Sequence, residues 1–496
     1  MQRTLIAFVG RALLLVSIVF SLCLPMRPLA ARTLPVSQVT PSAFNCTAVN
    51  EIPQSECKAL VAIYNSMNGP FWNEIPTWLT TSTPCHWTSV TCQQQHVIKL
   101  DFFDCDSLLG DLPKEIGDLS NLQVLSMPND GLPYTCNNEI SSIPVEIGKL
   151  VHLQILNLGN GGSNLPTEIG NLTNLQTLIL SYNSSLTSLP AEIGSLTNLQ
   201  TLSIGGKFTD LPTTIGALKN LQTLKVIAKL TTLPTEIGKL INLQTLDLTA
   251  NQLVTLPSTI GNLNRLKDLE LGNFRDGSGN YFDGNRLTSL PAEIARLISL
   301  QTLNVGGNQL AEIPPAITQL AALQTLDLSG NSKLTGPTPQ AFIQLKALRY
   351  LVFYGTSLCL PTNVAFQAWW FNTGAVDYPV PCLQLTTNFV IGAPGSQFTL
   401  VGSTFAPTNT LTLSVNHIVL GKVPLNEQGK FTVTLDSTSA NNGSYALSLA
   451  SATDDFVTQL RLAPNAPLHA SVGASIFTIP PGVAYTNWAY LPVVPR

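Results

Sequence analysis

Residues 233–248 read Leu-Pro-Thr-Glu-Ile-Gly-Lys-Leu-Ile-Asn-Leu-Gln-Thr-Leu-Asp-Leu, and copies of this line recur along the chain. Successive prolines of the close copies are 24, 22, 22 and 23 residues apart, at Pro166, Pro190, Pro212, Pro234 and Pro257. Looser copies carry Pro113, Pro144, Pro291 and Pro314. One unit of this length cannot bury its own leucines, so the pattern predicts a stack of similar coils.

Each unit is predicted to contain a short strand and a short helix. Leu246 and Leu248 are expected to point inward, because successive strand side chains face opposite ways. The residues before, between and after them are expected to face outward: Thr245, Asp247 and Thr249. The proline is predicted to be the first residue of the helix, and the glutamate two positions later suits the positive helix end. We interpret these glutamates as helix-start residues, not paired catalytic carboxylates: Glu115, Glu146, Glu168, Glu192, Glu236 and Glu293.

Asparagines after the strands are expected to satisfy backbone groups of the turn, at Asn183, Asn251, Asn308 and Asn331. A period in the twenties with L-x-x-L-x-L in every unit is the signature of the leucine-rich repeat. That resemblance implies an α/β solenoid, a horseshoe lined by a parallel sheet. Most units have the Leu-Pro-x-Glu-Ile-Gly form, which resembles bacterial and intracellular Ras-group repeats more than the plant Leu-x-Gly-x-Ile-Pro form.

Residues 53–92 carry an amphipathic helical pattern, Trp72, Trp78 and the block Pro-Cys-His-Trp-Thr-Ser-Val-Thr-Cys at 84–92. They resemble the N-terminal cap of plant-type extracellular leucine-rich repeat proteins, the group of receptor-like kinases and polygalacturonase inhibitors. Ser89 takes the place of the usual glycine in that block. The tryptophans are interpreted as cap core, and a sugar-stacking surface is the alternative.

The N-terminus has the features of a secretory signal. Arg3 and Arg11 precede an apolar run at 12–24, and Leu-Ala-Ala at 29–31 suits cleavage by a signal peptidase. We therefore predict a signal peptide over 1–31 and a secreted or cell-surface protein. An uncleaved membrane anchor over 5–24 is the alternative. The net charge of −4 gives no electrostatic reason to expect nucleic acid.

Eight of the nine cysteines lie beyond residue 31: Cys46, Cys57, Cys85, Cys92, Cys105, Cys136, Cys359 and Cys382. An even number in an exported chain predicts disulfides, located at the two ends of the repeat array. Proximity in sequence suggests the pairs 46–57, 85–92, 105–136 and 359–382. Zinc is the rival interpretation, but spacings such as C-x6-C do not suit a zinc site.

The predicted organisation is an N-terminal cap at 32–97, repeats at 98–358, a C-terminal cap at 359–382, a β-sandwich at 383–478 and a Pro- and aromatic-rich tail at 479–496. The C-terminal cap should contain a helix bearing Phe366, Trp369 and Trp370. Residues 395–407 resemble immunoglobulin-like modules of secreted bacterial proteins. Alternating patterns predict strands at 398–401, 410–415, 431–435 and 445–449.

The insertion at 275–283 contains Asp276, Ser278, Asn280 and Asp283, in the manner of a calcium loop. Tyr281 stands where glycine is needed and no glutamate closes the loop, so we expect a plain exposed loop. No nucleophile elbow, phosphate loop or zinc-protease motif occurs, and the five histidines are scattered. We therefore predict no enzyme, cofactor or metal.

Binding is expected at the concave face of the array. A threonine column is predicted there at Thr177, Thr201, Thr223, Thr245, Thr302 and Thr325, beside a glutamine column at Gln123, Gln154, Gln176, Gln200, Gln222, Gln244, Gln301 and Gln324. Residues that break this uniformity are the candidate ligand contacts: Ile179, Tyr182, Lys225, Asp247, Asp268, Glu270, Asn304, Asp327, Tyr350 and Tyr354.

The predicted function is recognition of an extracellular protein through the concave face. The alternatives are an inhibitor of a polysaccharide-degrading enzyme, implied by the resemblance of the N-terminal cap, and a glycan-binding adhesin that uses the threonine and glutamine columns.

Overall fold

The computed structural model describes residues 44–72, 77–102, 108–128, 138–162, 164–181, 185–275, 281–282, 284–361, 364–373, 383–387, 391–404, 410–426, 430–450, 455–462 and 476–478. The expected signal peptide and the tail at 479–496 lie outside these ranges. The same is true of Cys105, Cys136, Cys382, Tyr182, Asn183 and the polar residues of the insertion that was expected to be a plain exposed loop, Asp276, Ser278, Asn280 and Asp283.

Within these ranges a twelve-stranded sheet runs through the repeats in chain order. Its strands are β1 Val90–Gln93, β2 His96–Asp101, β3 Val124–Ser126, β4 Ile155–Asn157, β5 Thr177–Leu180, β6 Thr201–Gly205, β7 Thr223–Ile227, β8 Thr245–Asp247, β9 Asp268–Glu270, β10 Thr302–Asn304, β11 Thr325–Asp327 and β12 Tyr350–Val352. β1 is antiparallel to β2, whereas each later pair of neighbouring strands, from β2 to β12, is parallel. This is the predicted solenoid, with one strand per coil.

The leucines of the repeat form the interior of the coils. Leu246 and Leu248 are fully buried, as the alternating pattern predicts. Thr249 was expected outside and is buried instead, with 5% of its surface exposed. Its backbone N–H and hydroxyl both donate to Asp247 Oδ1, at 3.1 and 2.7 Å, which turns the chain inward where the strand ends.

The second half of each unit is a short 3-10 helix. These helices are Lys114–Asp118, Val145–Lys149, Thr167–Asn171, Ala191–Ser195, Thr213–Ala217, Thr235–Lys239, Ser258–Asn262, Ala292–Arg296, Pro315–Gln319 and Gln340–Gln344. The prediction that the motif proline is the first helical residue is wrong. Pro234, for example, precedes its helix with φ −65° and ψ 145°, and its carbonyl accepts the N–H of Ile237 at 3.0 Å. The extended ψ makes the proline a cap.

Glycine permits close packing of successive 3-10 helices. A Cβ at Gly238 would lie 2.4 Å from the carbonyl oxygen of Thr259 in the next coil. A real Cβ cannot approach a carbonyl oxygen this closely, so glycine at this position sets the spacing of the helical side.

Buried asparagines satisfy backbone groups of the turns, as predicted for Asn251, Asn308 and Asn331, and they also connect adjacent coils. The Asn251 side chain accepts the N–H groups of Ala228 and Leu230, both at 3.1 Å, and donates to Val226 O at 2.7 Å. Two further residues fill the same role beside the insertions. Asn138 accepts the N–H of Leu108, and Asn285 accepts the N–H of Leu253, each at 2.9 Å.

The N-terminal cap contains α1 Gln54–Ser66 and the 3-10 turns Cys46–Ala48, Gly69–Phe71 and Pro84–His86. The predicted disulfides 46–57 and 85–92 are both present. Cys359 at the other end is also disulfide-bonded. Its expected partner, Cys382, and the pair 105–136 lie outside the described residues. Ser89, the residue in place of glycine, adopts a left-handed φ of +70°.

Shorter elements flank the array. Leu109–Gly110, Glu139–Ile140 and Asn160–Gly161 form one small parallel sheet, and Thr335–Pro337 pairs with Ser357–Cys359. Phe274–Arg275 pairs antiparallel with Tyr281–Phe282 at the base of the insertion that was expected to be a loop. The predicted C-terminal helix is α2 Val364–Asn372, with Phe366 and Trp370 buried.

The C-terminal strands form a small β module of two sheets. These strands are β13 Leu383–Thr387, β14 Ile391–Gly392, β15 Gln397–Thr404, β16 Thr410–Val415, β17 Ile418–Pro424, β18 Lys430–Asp436, β19 Gly443–Ala450, β20 Asp455–Leu462 and β21 Ile476–Thr478. In the described residues one sheet has the order β13-β15-β18-β21 and the other β14-β20-β19-β16-β17. Phe398 and Leu435 from the first sheet share a core with Leu413 and Tyr445 from the second.

Candidate functional site

The solvent side of the twelve-stranded sheet, here called the sheet face, carries one column of varied side chains. Lys225 lies opposite Asp247, Asp247 opposite Glu270, and Glu270 opposite Asn304. The same column extends to Ile179 at one end and Asp327 at the other. Six of the ten predicted ligand contacts are therefore cross-strand neighbours in a single row.

Three further predicted contacts lie beside this row. Asp268 and Tyr350 occupy positions in the adjacent threonine column, opposite Thr302 and Thr325. Tyr354 follows β12. Tyr350 and Tyr354 are 55% and 57% exposed, so both rings are open to solvent. The tenth contact, Tyr182, lies outside the described residues.

Four carboxylates, Asp247, Asp268, Glu270 and Asp327, form what we call the acidic run. Lys225 Nζ donates to Asp247 Oδ2 at 2.8 Å at one end of it. Burial is the main cause that raises the pKa of Glu270, and the carboxylates of the other three residues raise it further. A hydrogen bond from the Asn304 side chain acts in the opposite direction. The run therefore concentrates negative charge where water is partly excluded.

Part of this row also has a local structural role. Asn304 Oδ1 accepts the N–H of Gly306 at 3.0 Å, and Asp327 Oδ1 accepts the N–H of Ser329 at 2.8 Å. Asp247 does the same for Thr249. The residue two positions after each strand-end Asx is thereby held in its turn. Such caps occupy only part of the acceptor capacity of each side chain.

Glycine allows close packing between two of these turns. A Cβ at Gly306 would lie 2.9 Å from Ser329 Oγ, 3.2 Å from Asp327 Oδ1 and 3.3 Å from Asn304 Oδ1. Ser329 is fully buried, and its hydroxyl has no hydrogen-bond partner among the described residues. Position 306 therefore has no room for a side chain, and glycine lets the two turns pack closely.

A polar groove of about 770 Å³ runs beside the face and was only half predicted. Glutamines of the predicted column line it from Gln123 to Gln244. An asparagine column that was not predicted lines it as well: Asn174, Asn198, Asn220 and Asn242. Asn198 Nδ2 donates to Thr173 O and Asn220 Nδ2 to Thr197 O, at 2.8 and 2.9 Å. The recurring Asn-Leu-Gln-Thr-Leu in the sequence was the available signal.

The cap tryptophans do not form a surface. Trp72, Trp78 and Trp87 are at most 7% exposed, and all three indole N–H groups donate to backbone carbonyls. They are cap core, as interpreted from the sequence. Within the ranges described above, no group of three or more His, Cys, Asp or Glu residues is placed to hold a metal ion.

Comparisons with known proteins agree with this architecture. Family profiles for a leucine-rich repeat region match residues 134–231, and other leucine-rich repeat profiles match 242–263, 281–332 and 298–358. The leucine-rich repeat N-terminal domain matches 53–93. A solved leucine-rich repeat protein of Leptospira interrogans is 34% identical, over 54% of this chain and 69% of that one, with a TM-score of 0.44. The chain belongs to the leucine-rich repeat proteins.

Other leucine-rich repeat structures share the fold at lower identity. The ectodomain of the Arabidopsis thaliana receptor kinase GASSHO1/SCHENGEN3, solved with CASPARIAN STRIP INTEGRITY FACTOR 2, is 22% identical over 66% of this chain and 44% of its own, with a TM-score of 0.48. An internalin of Listeria monocytogenes is 20% identical over 53% and 76%, with a TM-score of 0.40. None of the curated proteins matches significantly.

Leucine-rich repeat arrays are typically binding scaffolds, and nothing in these comparisons points to catalysis. The described helices of this leucine-rich repeat chain include none long and apolar enough to cross a membrane.

Proposed function

We propose that this protein is exported and binds another protein through the sheet face. The observation that carries the proposal is the row from Ile179 to Asp327. Its frame repeats strand by strand, while its side chains change from apolar to basic to acidic. Exposed tyrosines lie beside its end, on β12 and just after it. Selectivity resides in such variation on a fixed frame, and aromatic rings contribute strongly to affinity at interfaces.

A preformed face is suited to binding because little ordering is required on association. The strands that carry the row are held on both sides by parallel neighbours. The strand-end caps further fix Asp247, Asn304 and Asp327. Their acceptor atoms are therefore positioned before a partner arrives.

Export is supported by the disulfides of the N-terminal cap, because such bonds persist in oxidising compartments. The signal peptide at 1–31 and a secreted or cell-surface location remain part of this proposal.

The predicted domain boundaries are also part of this proposal, with 383–478 as a spacer or surface-side module. Tyr445 Oη donates to Asn441 O at 2.6 Å, a contact typical of immunoglobulin-like sandwiches.

The test is capture of a protein by residues 32–496 and by two matched variants. The face variant is Lys225→Ala, Tyr350→Ala and Tyr354→Ala. The control variant is Lys149→Ala, Val254→Ala and Ile298→Ala, which truncates exposed side chains outside the sheet face. We expect a partner that binds the wild type and the control variant and is lost from the face variant. Equal capture by all three would place recognition elsewhere.

Glycan binding is a second candidate, favoured by the groove of glutamine and asparagine side chains. The glutamine and asparagine side chains that line this groove carry amides, and amides pair well with hydroxyls. Retention on a polysaccharide column should fall in Gln176→Leu with Gln200→Leu and persist in Gln301→Leu with Gln324→Leu. The alternative that the protein inhibits a polysaccharide-degrading enzyme is supported only by the resemblance of the N-terminal cap. It is tested directly by measuring whether the protein inhibits a pectinase.

A further inference from the structure

Resting on the glycan-binding candidate of the proposed function, we propose that the groove binds a linear, uncharged polysaccharide of β-linked sugar rings. The polysaccharide lies along the groove and crosses successive coils, with about one ring per coil. The inference names the class of glycan and the register in which it binds, both of which the proposed function leaves open.

The asparagine column supplies fixed hydrogen-bond acceptors. Asn174 Nδ2 donates to Val151 O and Asn242 Nδ2 donates to Lys219 O, both at 2.8 Å. The two asparagines between them donate to the preceding coil in the same way. This bond limits rotation of each side-chain amide, so its Oδ1 atom is held in place before a ligand arrives.

One of these acceptors already receives a donor from the next coil. Arg265 Nη1 donates to Asn242 Oδ1 at 2.8 Å. Among the described residues, the Oδ1 atoms of Asn174, Asn198 and Asn220 accept no hydrogen bond. All three residues are exposed. A hydroxyl in the groove can therefore donate to them as Arg265 donates to Asn242.

The glutamine column adds amides that both donate and accept. Gln154, Gln176 and Gln200 are exposed, and their side chains form no hydrogen bond within the described part of the chain. Gln244 Nε2 donates to Gln222 Oε1, but the distance is a long 3.4 Å. Hydroxyls also donate and accept. Each sugar ring can therefore exchange hydrogen bonds with amides of both columns.

The charge of the lining selects against charged polymers. Arg265 at one end and His152 near the other are the basic residues among those that line the groove, and the described lining contains no carboxylate. A polyuronate carries one negative charge per ring and would find one permanent cation, whereas a polycation would find no opposite charge. The described lining also contains no aliphatic residue, Phe, Tyr or Trp, so it offers no pocket for the apolar anchors typical of protein partners.

The repeat of the groove matches the repeat of such a polysaccharide. Equivalent side chains on adjacent coils are one strand spacing apart, about 4.8 Å. Six glutamines, from Gln123 to Gln244, line the groove and extend over five spacings, about 24 Å. An extended chain of β-linked hexose rings advances by nearly one strand spacing per ring and carries hydroxyls on both edges. An extended peptide repeats its backbone donors on one side only every ~6.6 Å, so it does not keep this register.

The probes are cellobiose, cellotetraose and cellohexaose, which are linear, uncharged and β-linked. The control ligands are maltohexaose, which is α-linked and curved, and cellohexaose whose primary alcohols are oxidised to carboxylates. Affinity is measured by calorimetry on residues 32–496. We expect affinity to rise from the dimer to the hexamer, because each added ring reaches a further coil. Both control ligands should bind about tenfold more weakly than cellohexaose or worse.

The decisive variant is Gln154→Ala with Gln200→Ala, because these side chains form no hydrogen bond in the described structure that the coil would lose. The matched control is Gln301→Ala with Gln324→Ala, in the same column beyond the groove. We expect the decisive variant to bind cellohexaose about fivefold to tenfold more weakly and the control to bind it like the wild type. Equal denaturant midpoints of the two variants exclude misfolding as the cause.

Equal loss of affinity in both variants would overturn the groove as the binding site. Equal affinity for cellobiose and cellohexaose would overturn the extended register. Tighter binding of either control ligand, or retention on a polysaccharide column without binding of cellohexaose, would overturn the class of glycan and leave glycan binding intact. If no oligosaccharide binds and no column retains the protein, the inference and the glycan candidate both fail, while the capture experiment still decides protein recognition through the sheet face.

Discussion

Asn308 shows how much depends on single buried side chains in a repeat array. It accepts the N–H of Leu287 at 3.0 Å and donates to the carbonyls of Leu271 and Val305, at 3.1 and 2.9 Å. These groups belong to adjacent coils and are shielded from water. One amide therefore satisfies backbone polarity that the turns cannot satisfy themselves.

Asn308→Ala should lower the free energy of unfolding by about 1–3 kcal/mol, because a buried backbone N–H loses its acceptor. The measurement is a denaturant midpoint with unchanged slope. Gln309→Ala, at the neighbouring exposed position, serves as the control and should change the midpoint little. Equal effects at both positions would contradict a structural role for the buried asparagines.

Glu270 gives a pH-dependent prediction. Its folded-state pKa is raised, chiefly by burial, so its contribution to stability is full below the unfolded pKa and is lost as pH rises through the folded pKa. Glu270→Gln should therefore be more stable than the wild type at neutral pH, and the difference should vanish on acidification through the carboxylate range. Thermal unfolding from pH 3 to 8 checks this.

Glu236 is the control of opposite sign. A hydrogen bond from its own backbone N–H is the main cause that lowers its pKa, and Thr235 and Lys239 add to this. Glu236→Gln should therefore lose stability above the unfolded pKa, with the difference fading as pH falls through the folded pKa. The same sign for both variants would contradict the assignment of Glu270 as a buried carboxylate.

The residue pattern predicted part of this chemistry. The position of Asn308 after its strand indicated that its side chain satisfies backbone groups of the turn. The row on the sheet face was predicted from the alternation of side chains along each strand. The caps made by Asp247, Asn304 and Asp327 could not be predicted in this way. Each cap requires the backbone N–H two residues later to point at the side-chain oxygen. That direction is set by the folded turn and cannot be read from the amino-acid composition.

At the scale of elements, the 3-10 helices pack at a distance that glycine sets. Gly238 faces the backbone of Thr259, whose Cβ would lie 2.7 Å from an added methyl. Gly238→Ala should therefore cost about 1–3 kcal/mol through overpacking. Ser195→Ala, on an exposed position of an equivalent helix, should be nearly neutral in the same unfolding experiment. A neutral Gly238→Ala would show that successive coils can separate without loss.

Elements with strong periodicity were predicted well, and irregular ones were not. The strands at 410–415 and 431–435 alternate cleanly and occur at β16 and β18. β17 Ile418–Pro424 was missed, because exposed Ile418 and Val419 and an interior glycine break the alternation expected of a half-buried strand. Only pairing with β16 defines this strand.

At the scale of the whole molecule, the ends of the array bear the cross-links. Each inner coil has a neighbour on both sides, whereas the first and last do not. Cys85→Ser with Cys92→Ser should destabilise the cap by about 2 kcal/mol. Hydrogen exchange should accelerate over 54–101 and stay unchanged over 201–275. Acceleration spread evenly along the array would show instead that the coils unfold as one cooperative unit.

The parallel strands of the sheet stay in step from β7 to β12, with identical positions opposite one another at every pair. Lys225 and Tyr350 are thus separated by five strand spacings, about 24 Å. The face therefore acts as a ruler as well as a chemical surface. Excising one complete unit would keep every side-chain type in phase yet shorten that ruler by about 5 Å. A partner matched to the original length would then lose contact at one end, although no contacting residue had changed.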